Sequence, residues 1–218
     1  MRWFRISALV AAMAGPAYGH DIVDVLRYSQ QMRLDGFAAA PAGPRAERVR
    51  RSFETLRRTM PDDVAVDLLV ITGPTVAETL HGHVVVANEA LAELPEGERL
   101  FVLAHELGHV VGGHWLQMGR VYRRWVPGEV TQEQTDAVAA QLGREASSLA
   151  HRQEFEADAY AVQLLRRVGR TPEDAVSAFM HLGPTQDTAT HPGTRKRLAS
   201  LRAAQPPGTD GSGGDDPE

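Results

Sequence analysis

The sequence predicts an α+β fold, mostly helical with a small sheet, organised around one apolar helix that carries the chemistry. Three observations lead there. Apolar stripes at helical spacing and capping signals recur along most of the 218 residues. β-rich runs are confined to residues 64–71 and 84–86. Between Leu100 and Val111 the chain is apolar enough for a buried helix, and that stretch contains His105-Glu106-Leu107-Gly108-His109. The composition is 43% hydrophobic and 23% charged with a formal net charge of −5, which suits one domain with a real core. An acidic balance argues against a nucleic-acid binder. With no cysteine present, a metal could be held only by histidine and carboxylate.

Residues 1–19 read as a signal peptide. Met1 to Arg5 form a basic start, Ile6 to Gly15 a short apolar run, and Ala17-Tyr18-Gly19 a small-x-small cleavage site. The run is too short to span a bilayer. Cleavage after Gly19 would remove Arg2 and Arg5, take the formal charge to −7 and leave His20 at the N-terminus. The expectation is a periplasmic or secreted protein with no transmembrane segment in the mature chain, residues 20–204 forming the domain. Residues 205–218, rich in Pro, Gly and Asp, are expected to be a disordered acidic tail.

Residues 21–34 read as a helix, 36–44 as an Ala/Gly/Pro loop, and 46–60 as a second helix with Val49, Phe53, Leu56 and Met60 on one stripe. Val64 to Ile71 reads as a strand. Gly73-Pro74 turns the chain, and Val84-Val85-Val86 reads as a second strand, taken as an exposed sheet edge able to hold an extended peptide by backbone hydrogen bonds. Asn88 caps a helix through Leu94, and Pro95-Glu96-Gly97 opens the central helix. Residues 119–127 read as a basic, aromatic connector whose Tyr122 and Trp125 pack back on the core. Residues 131–150 read as a weakly amphipathic helix, a candidate mobile cover, followed by a stronger one from His151 to Val168. Thr171-Pro172-Glu173-Asp174 starts another helix, and His191-Pro192 precedes a last one through Ala204.

On a helix His105 and His109 stand one above the other and can take two corners of a tetrahedral metal site. Glu106, about a third of a turn away, reaches water rather than the ion. This is the H-E-x-x-H pattern of zinc peptidases. A third histidine in the metzincin position is missing, because residue 115 is Trp and His114 falls one residue early. The candidates left are carboxylates of Glu154-Phe-Glu-Ala-Asp158. Glu154 and Asp158 share a face, so one can bind metal while the other accepts from a ligand histidine; Glu156 points elsewhere and is the weaker candidate.

With these residues assembled, the chain resembles the M48-family zinc metallopeptidases, gluzincins that include HtpX, the CAAX prenyl protease and periplasmic BepA. The resemblance rests on Leu80-His-Gly-His-Val-Val-Val86, Leu103-Ala-His-Glu-Leu-Gly-His109 with His114 beyond it, Glu154-Phe-Glu-Ala-Asp158 and Thr190-His-Pro-Gly-Thr-Arg-Lys-Arg197. It implies a zincin-like (minigluzincin) core, one Zn2+ per subunit on His105, His109 and Glu154, and Asp158 behind them. Glu106 would be the general base, Val84, Val85 and Val86 the substrate-binding strand, and His191 or Arg197 a donor to the oxyanion. His191 has a second implied role, blocking the zinc at rest. His81, His83, His151 and His181 are left as surface or outer residues. The implied activity is endoproteolysis of unfolded or misassembled cell-envelope proteins. The rival is a periplasmic assembly factor or chaperone that keeps the zinc site, works with an envelope partner and has latent proteolysis.

Overall fold

A computed structural model describes residues 20–204; the signal-peptide and acidic-tail readings lie outside the described residues. The first helix, α1 (Ile22–Asp35), is capped by Asp21, whose Oδ1 accepts from the Val23 amide at 2.8 Å. The second, α2 (Pro44–Arg57), starts with proline at its first position and buries Ala46, Val49, Phe53 and Leu56 on one stripe.

A three-stranded sheet follows, formed by β1 (Asp67–Ile71), β2 (Ala77–Leu80) and β3 (Val84–Asn88) in the order β1-β3-β2. β3 runs parallel to β1 and antiparallel to β2. The expected edge at Val84–Val86 is therefore corrected. Val84 pairs with Asp67 and Leu80, Val85 with Leu68 and Thr79, and Val86 with Leu69 and Glu78. Both edges of this strand are used, and Val85 and Val86 are fully buried on opposite faces. That is why the segment reads as a continuous apolar run. The edge strands are β1 and β2, and sequence reading missed β2 because it is four residues long with Glu78 and Thr79 at its centre.

Asn88 accepts from the Ala90 amide to start a 3-10 turn (Glu89–Glu93), and α3 (Glu96–Val111) then runs through the core with its residues from Gly97 to Gly108 all buried. Gly113, at φ +60°, turns the chain into α4 (His114–Trp125), a helix where a connector was expected. Tyr122 and Trp125 pack with Trp115 around Ile22, Val23 and Val126, so their burial is as expected.

The two helices expected between 131 and 168 are one, α5 (Gln132–Arg167), with a capping box at Thr131 and Gln134. At 1.5 Å per residue it is about 54 Å long. Its first half packs Val138 and Leu142 onto the α1–α4 cluster and contributes nothing to the cleft beside the motif, so it is no cover over the site. Two further helices, α6 (Pro172–Leu182) and α7 (Thr194–Ala203), complete the fold. None of the described helices is long and apolar enough to cross a membrane.

α3 and α5 approach each other closely. A Cβ on Gly108 would lie 2.8 Å from the Ala157 Cα, a backbone atom that cannot step aside. A Cβ on Gly143, inside α5, would meet nothing within 4 Å outside its own helix. Gly108→Ala should therefore destabilise the protein by about 1–3 kcal/mol through overpacking. Gly143→Ala should stabilise it by about 0.5–1 kcal/mol through helix propensity. Urea unfolding measures both, and a wild-type midpoint for Gly108→Ala would refute the close-packing account.

Candidate metal centre

His105 and His109 lie one turn apart on α3 with their Nε2 atoms 3.1 Å from each other. From the facing turn of α5, Glu154 brings Oε2 to 3.5 Å from His105 Nε2 and Oε1 to 3.4 Å from His109 Nε2. For ligand bonds near 2.1 Å in a tetrahedron, neighbouring donors should stand about 3.4 Å apart. Glu154 thus offers one oxygen to each imidazole at near that spacing, and the three side chains group as a candidate metal site. Of the two carboxylates open at the start, Glu154 faces the imidazoles and Asp158 stands behind one of them. Glu156 is turned toward His114, with Oε2 3.3 Å from its Nε2.

The outer bonds orient this face. His105 Nδ1 lies 3.0 Å from Asp158 Oδ1. Asp158 is fully buried and is gripped by Arg197 from α7, whose Nε donates to Oδ2 at 2.8 Å and whose Nη2 donates to Oδ1 at 2.5 Å. Arg197 Nη1 also reaches within 3.3 Å of Glu154 Oε2. Its guanidinium stacks over Phe179, 4.8 Å from the ring centre. These engagements make Arg197 a positioning residue that holds two carboxylates, and it also lines the cleft beside them.

Charge in the site favours a cation. Burial alone would raise the Glu154 carboxyl, but hydrogen bonds from His105 and His109 and the charges of His105 and Arg197 hold it well below the usual range. Burial likewise works against Asp158, and the Arg197 charge outweighs it and keeps that carboxyl low. Burial and Arg197 press His105 toward neutrality, yet its bonds to Asp158 and Glu154 raise it to about 9. Glu106, Glu154 and Asp158 together face one guanidinium in a pocket where each is buried. With both imidazoles neutral, as metal ligands must be, the carboxylates outnumber the guanidinium, and a divalent ion suits that surplus. Glu154 Oε2 is also buried with no hydrogen bond of its own, although it faces His105 Nε2 and Arg197 Nη1. Donor types, spacing and charge all fit zinc.

Glu106 sits one residue beyond His105 with its carboxylate turned into the same cleft, a cavity of about 110 Å³. Thr79 Oγ1, on the edge strand β2, lies 2.8 Å from Glu106 Oε2 and 3.0 Å from its carbonyl oxygen. Apolar walls come from Val76, Phe101, Val102, Phe179 and Leu182. His191 stands in the segment between α6 and α7, with Nδ1 2.8 Å from Thr190 Oγ1 and Nε2 3.5 Å from Glu154 Oε1. Burial lowers its pKa.

Thr79 and His114 are the site residues to which sequence reading gave no role. Thr79 carried no signal apart from its place in a short alternating run. His114 approaches His109 ring to ring, Nδ1 to Nδ1, at 2.8 Å. Burial, and then the neighbouring His109 and His105, lower its pKa to about 4. His81, His83, His151 and His181 are outside the cluster; His151 Nε2 lies 2.7 Å from the Thr188 carbonyl oxygen and His181 Nδ1 2.6 Å from the buried Glu98.

The geometry leads to a direct test of the donor set. Purified protein should take up one zinc per chain by elemental analysis. Glu154→Ala should lose that metal, and Glu156→Gln should keep it. Retention by the first variant with loss by the second would exchange the two glutamates' roles.

Among known proteins, the model for peptidase family M48 matches residues 76–205, from the edge strand through the last helix and more than half of the chain. No curated protein matches the chain.

Proposed function

The chain belongs to peptidase family M48, and from that premise we propose that it is a zinc-dependent endopeptidase with Glu106 as its general base. The observation that carries this reading is the placement of Glu106. Its carboxylate is buried, held at one oxygen by Thr79, and shares a cleft with His105 and Glu154. Zinc held by His105, His109 and Glu154 would polarise the scissile carbonyl and make the attacking water more acidic.

Each remaining step belongs to residues of the chain. Glu106 takes a proton from the water as it attacks, and then delivers that proton to the leaving amine nitrogen. Thr79 fixes the carboxylate's direction through Oε2, leaving Oε1 for this exchange. The edge of β2, beginning at Ala77 on the cleft's wall, can add an extended substrate as a further strand. Backbone pairing of that kind tolerates many sequences, which suits unfolded or misassembled polypeptides. The sequence of residues 1–19 supports a periplasmic or secreted location, hence cell-envelope substrates.

Degradation of casein tests the reading. The zinc-loaded protein should cleave it, and chelation should stop cleavage. Glu106→Gln should lower turnover by roughly 10²–10⁴-fold while keeping its zinc. Undiminished cleavage by Glu106→Gln would remove it as the base.

One observation favours a second reading, an assembly factor or chaperone with latent proteolysis. His191 Nε2 faces the same Glu154 oxygen that approaches His109. An imidazole there can take the position that water needs. His191→Ala is then expected to raise casein turnover. Slower turnover would instead assign His191 to holding the oxyanion.

A further inference from the structure

The two histidines of the centre are held from behind by different chemistry. His105 has a carboxylate, Asp158, at Nδ1. His109 has another imidazole, that of His114, Nδ1 to Nδ1 at 2.8 Å. We infer that His114 is the positioning residue for His109: it accepts the Nδ1–H of that ring, fixes its tautomer and sets how firmly the site retains its metal. The inference rests on the metal reading of His105, His109 and Glu154.

The direction of the bond follows from where the nitrogens face. His109 turns Nε2 toward His105 and Glu154, so its Nε2 lone pair is the one offered to a metal. The ring's proton is then on Nδ1, and His109 can only donate to His114. His114 must accept at Nδ1 and carry its own proton on Nε2. That nitrogen is buried with no hydrogen bond, and its nearest charged neighbour is Glu156 Oε2 at 3.3 Å. Protons are thus ordered outward from His109 through His114 toward Glu156. His114 is not itself a ligand, because it meets His109 on the side of the ring away from Glu154.

The chain is shaped to make this contact. Residues five apart on a straight helix face well away from each other, so α3 must end between His109 and His114. Gly113, at φ +60°, makes that break. Gly112 has ordinary helical angles but no room for a side chain, since a Cβ there would lie 2.3 Å from His114 Nε2. Gln153 of α5 donates to the His114 carbonyl oxygen at 3.2 Å and holds the start of α4 in place.

The test reads metal affinity and the ring proton, not turnover. Zinc affinity is measured by competition with a chelating indicator in the full chain. His114→Phe keeps an aromatic ring but no acceptor and should lose roughly 10–100-fold in affinity. His114→Asn puts an oxygen near the Nδ1 position and should stay much closer to the wild type. In the cobalt(II)-substituted protein, proton NMR should show shifted exchangeable N–H signals from both ligand rings, with that of His109 lost in His114→Phe and present in His114→Asn. Unchanged affinity and both signals in a folded His114→Phe overturn the assignment. If that variant does not fold, Gly112→Ala decides: crowding the ring should weaken zinc binding, and wild-type affinity overturns the inference. A wild-type protein that binds no zinc would overturn the metal reading itself, and this assignment with it.

Discussion

The structure depends on how closely α3 and α5 cross. With glycine at 108 over alanine at 157, the two backbones approach nearly to contact, and that separation decides everything the neighbouring turns can reach. Glu154, one turn before Ala157, meets the Nε2 atoms of both histidines. Asp158, the next residue, meets His105 from behind. Gln153 holds the start of α4, and Glu156 stands beside His114. A wider crossing would move Glu154 away from the imidazoles by as much as the helices separated, and the donor triangle would open beyond what one ion can bridge.

Close packing brings a second constraint, because it removes water from several charges at once. Glu154 and Asp158 are one turn apart on α5, a spacing at which like charges repel, and both are buried. Isolated burial of either would cost several kcal/mol. Arg197 answers this by touching both, and the imidazoles of α3 supply the remaining donors. The surplus negative charge is then confined to the side facing the cleft. A divalent ion there would complete the neutralisation, and its uptake would then be thermodynamically linked to the integrity of the α3–α5–α7 contact.

Much of this was legible in the sequence, for reasons that differ by element. H-E-x-x-H specifies its own geometry through the helical repeat, Glu154 with Asp158 follows the same rule, and the resemblance chose Glu154 of the two, so the candidate ligands could be named from the sequence. The α3 core reads cleanly because nearly all of it is buried. The central strand was read as an edge and β2 was missed, since Val84–Val86 shows β propensity strongly whereas β2 is short and polar at its middle. α4 was hidden by its arginines, although Trp115, Met118, Tyr122 and Val126 already keep a spacing of three to four. α5 read as two helices because its two halves pack on different clusters, a small one beside α1 and α4 and then the main core. Thr79 and His114 act through tertiary contacts that no local pattern encodes.

What the fold adds to the motif is a set of supports drawn from distant parts of the chain. Glu106, the proposed base, is steadied by Thr79 on the sheet edge. One ligand histidine is steadied through Asp158 by α7, the last helix. That helix is itself positioned by a loop closed on Thr185, Asp187 and Thr194, and the same loop carries His191 to the cleft. A shift of this segment would therefore act on the site twice, by moving His191 and by loosening the Arg197 grip on both carboxylates. In the proposed enzyme the α3 motif would supply the reactive groups, and the elements that come before and after it would set how strongly they hold metal and water.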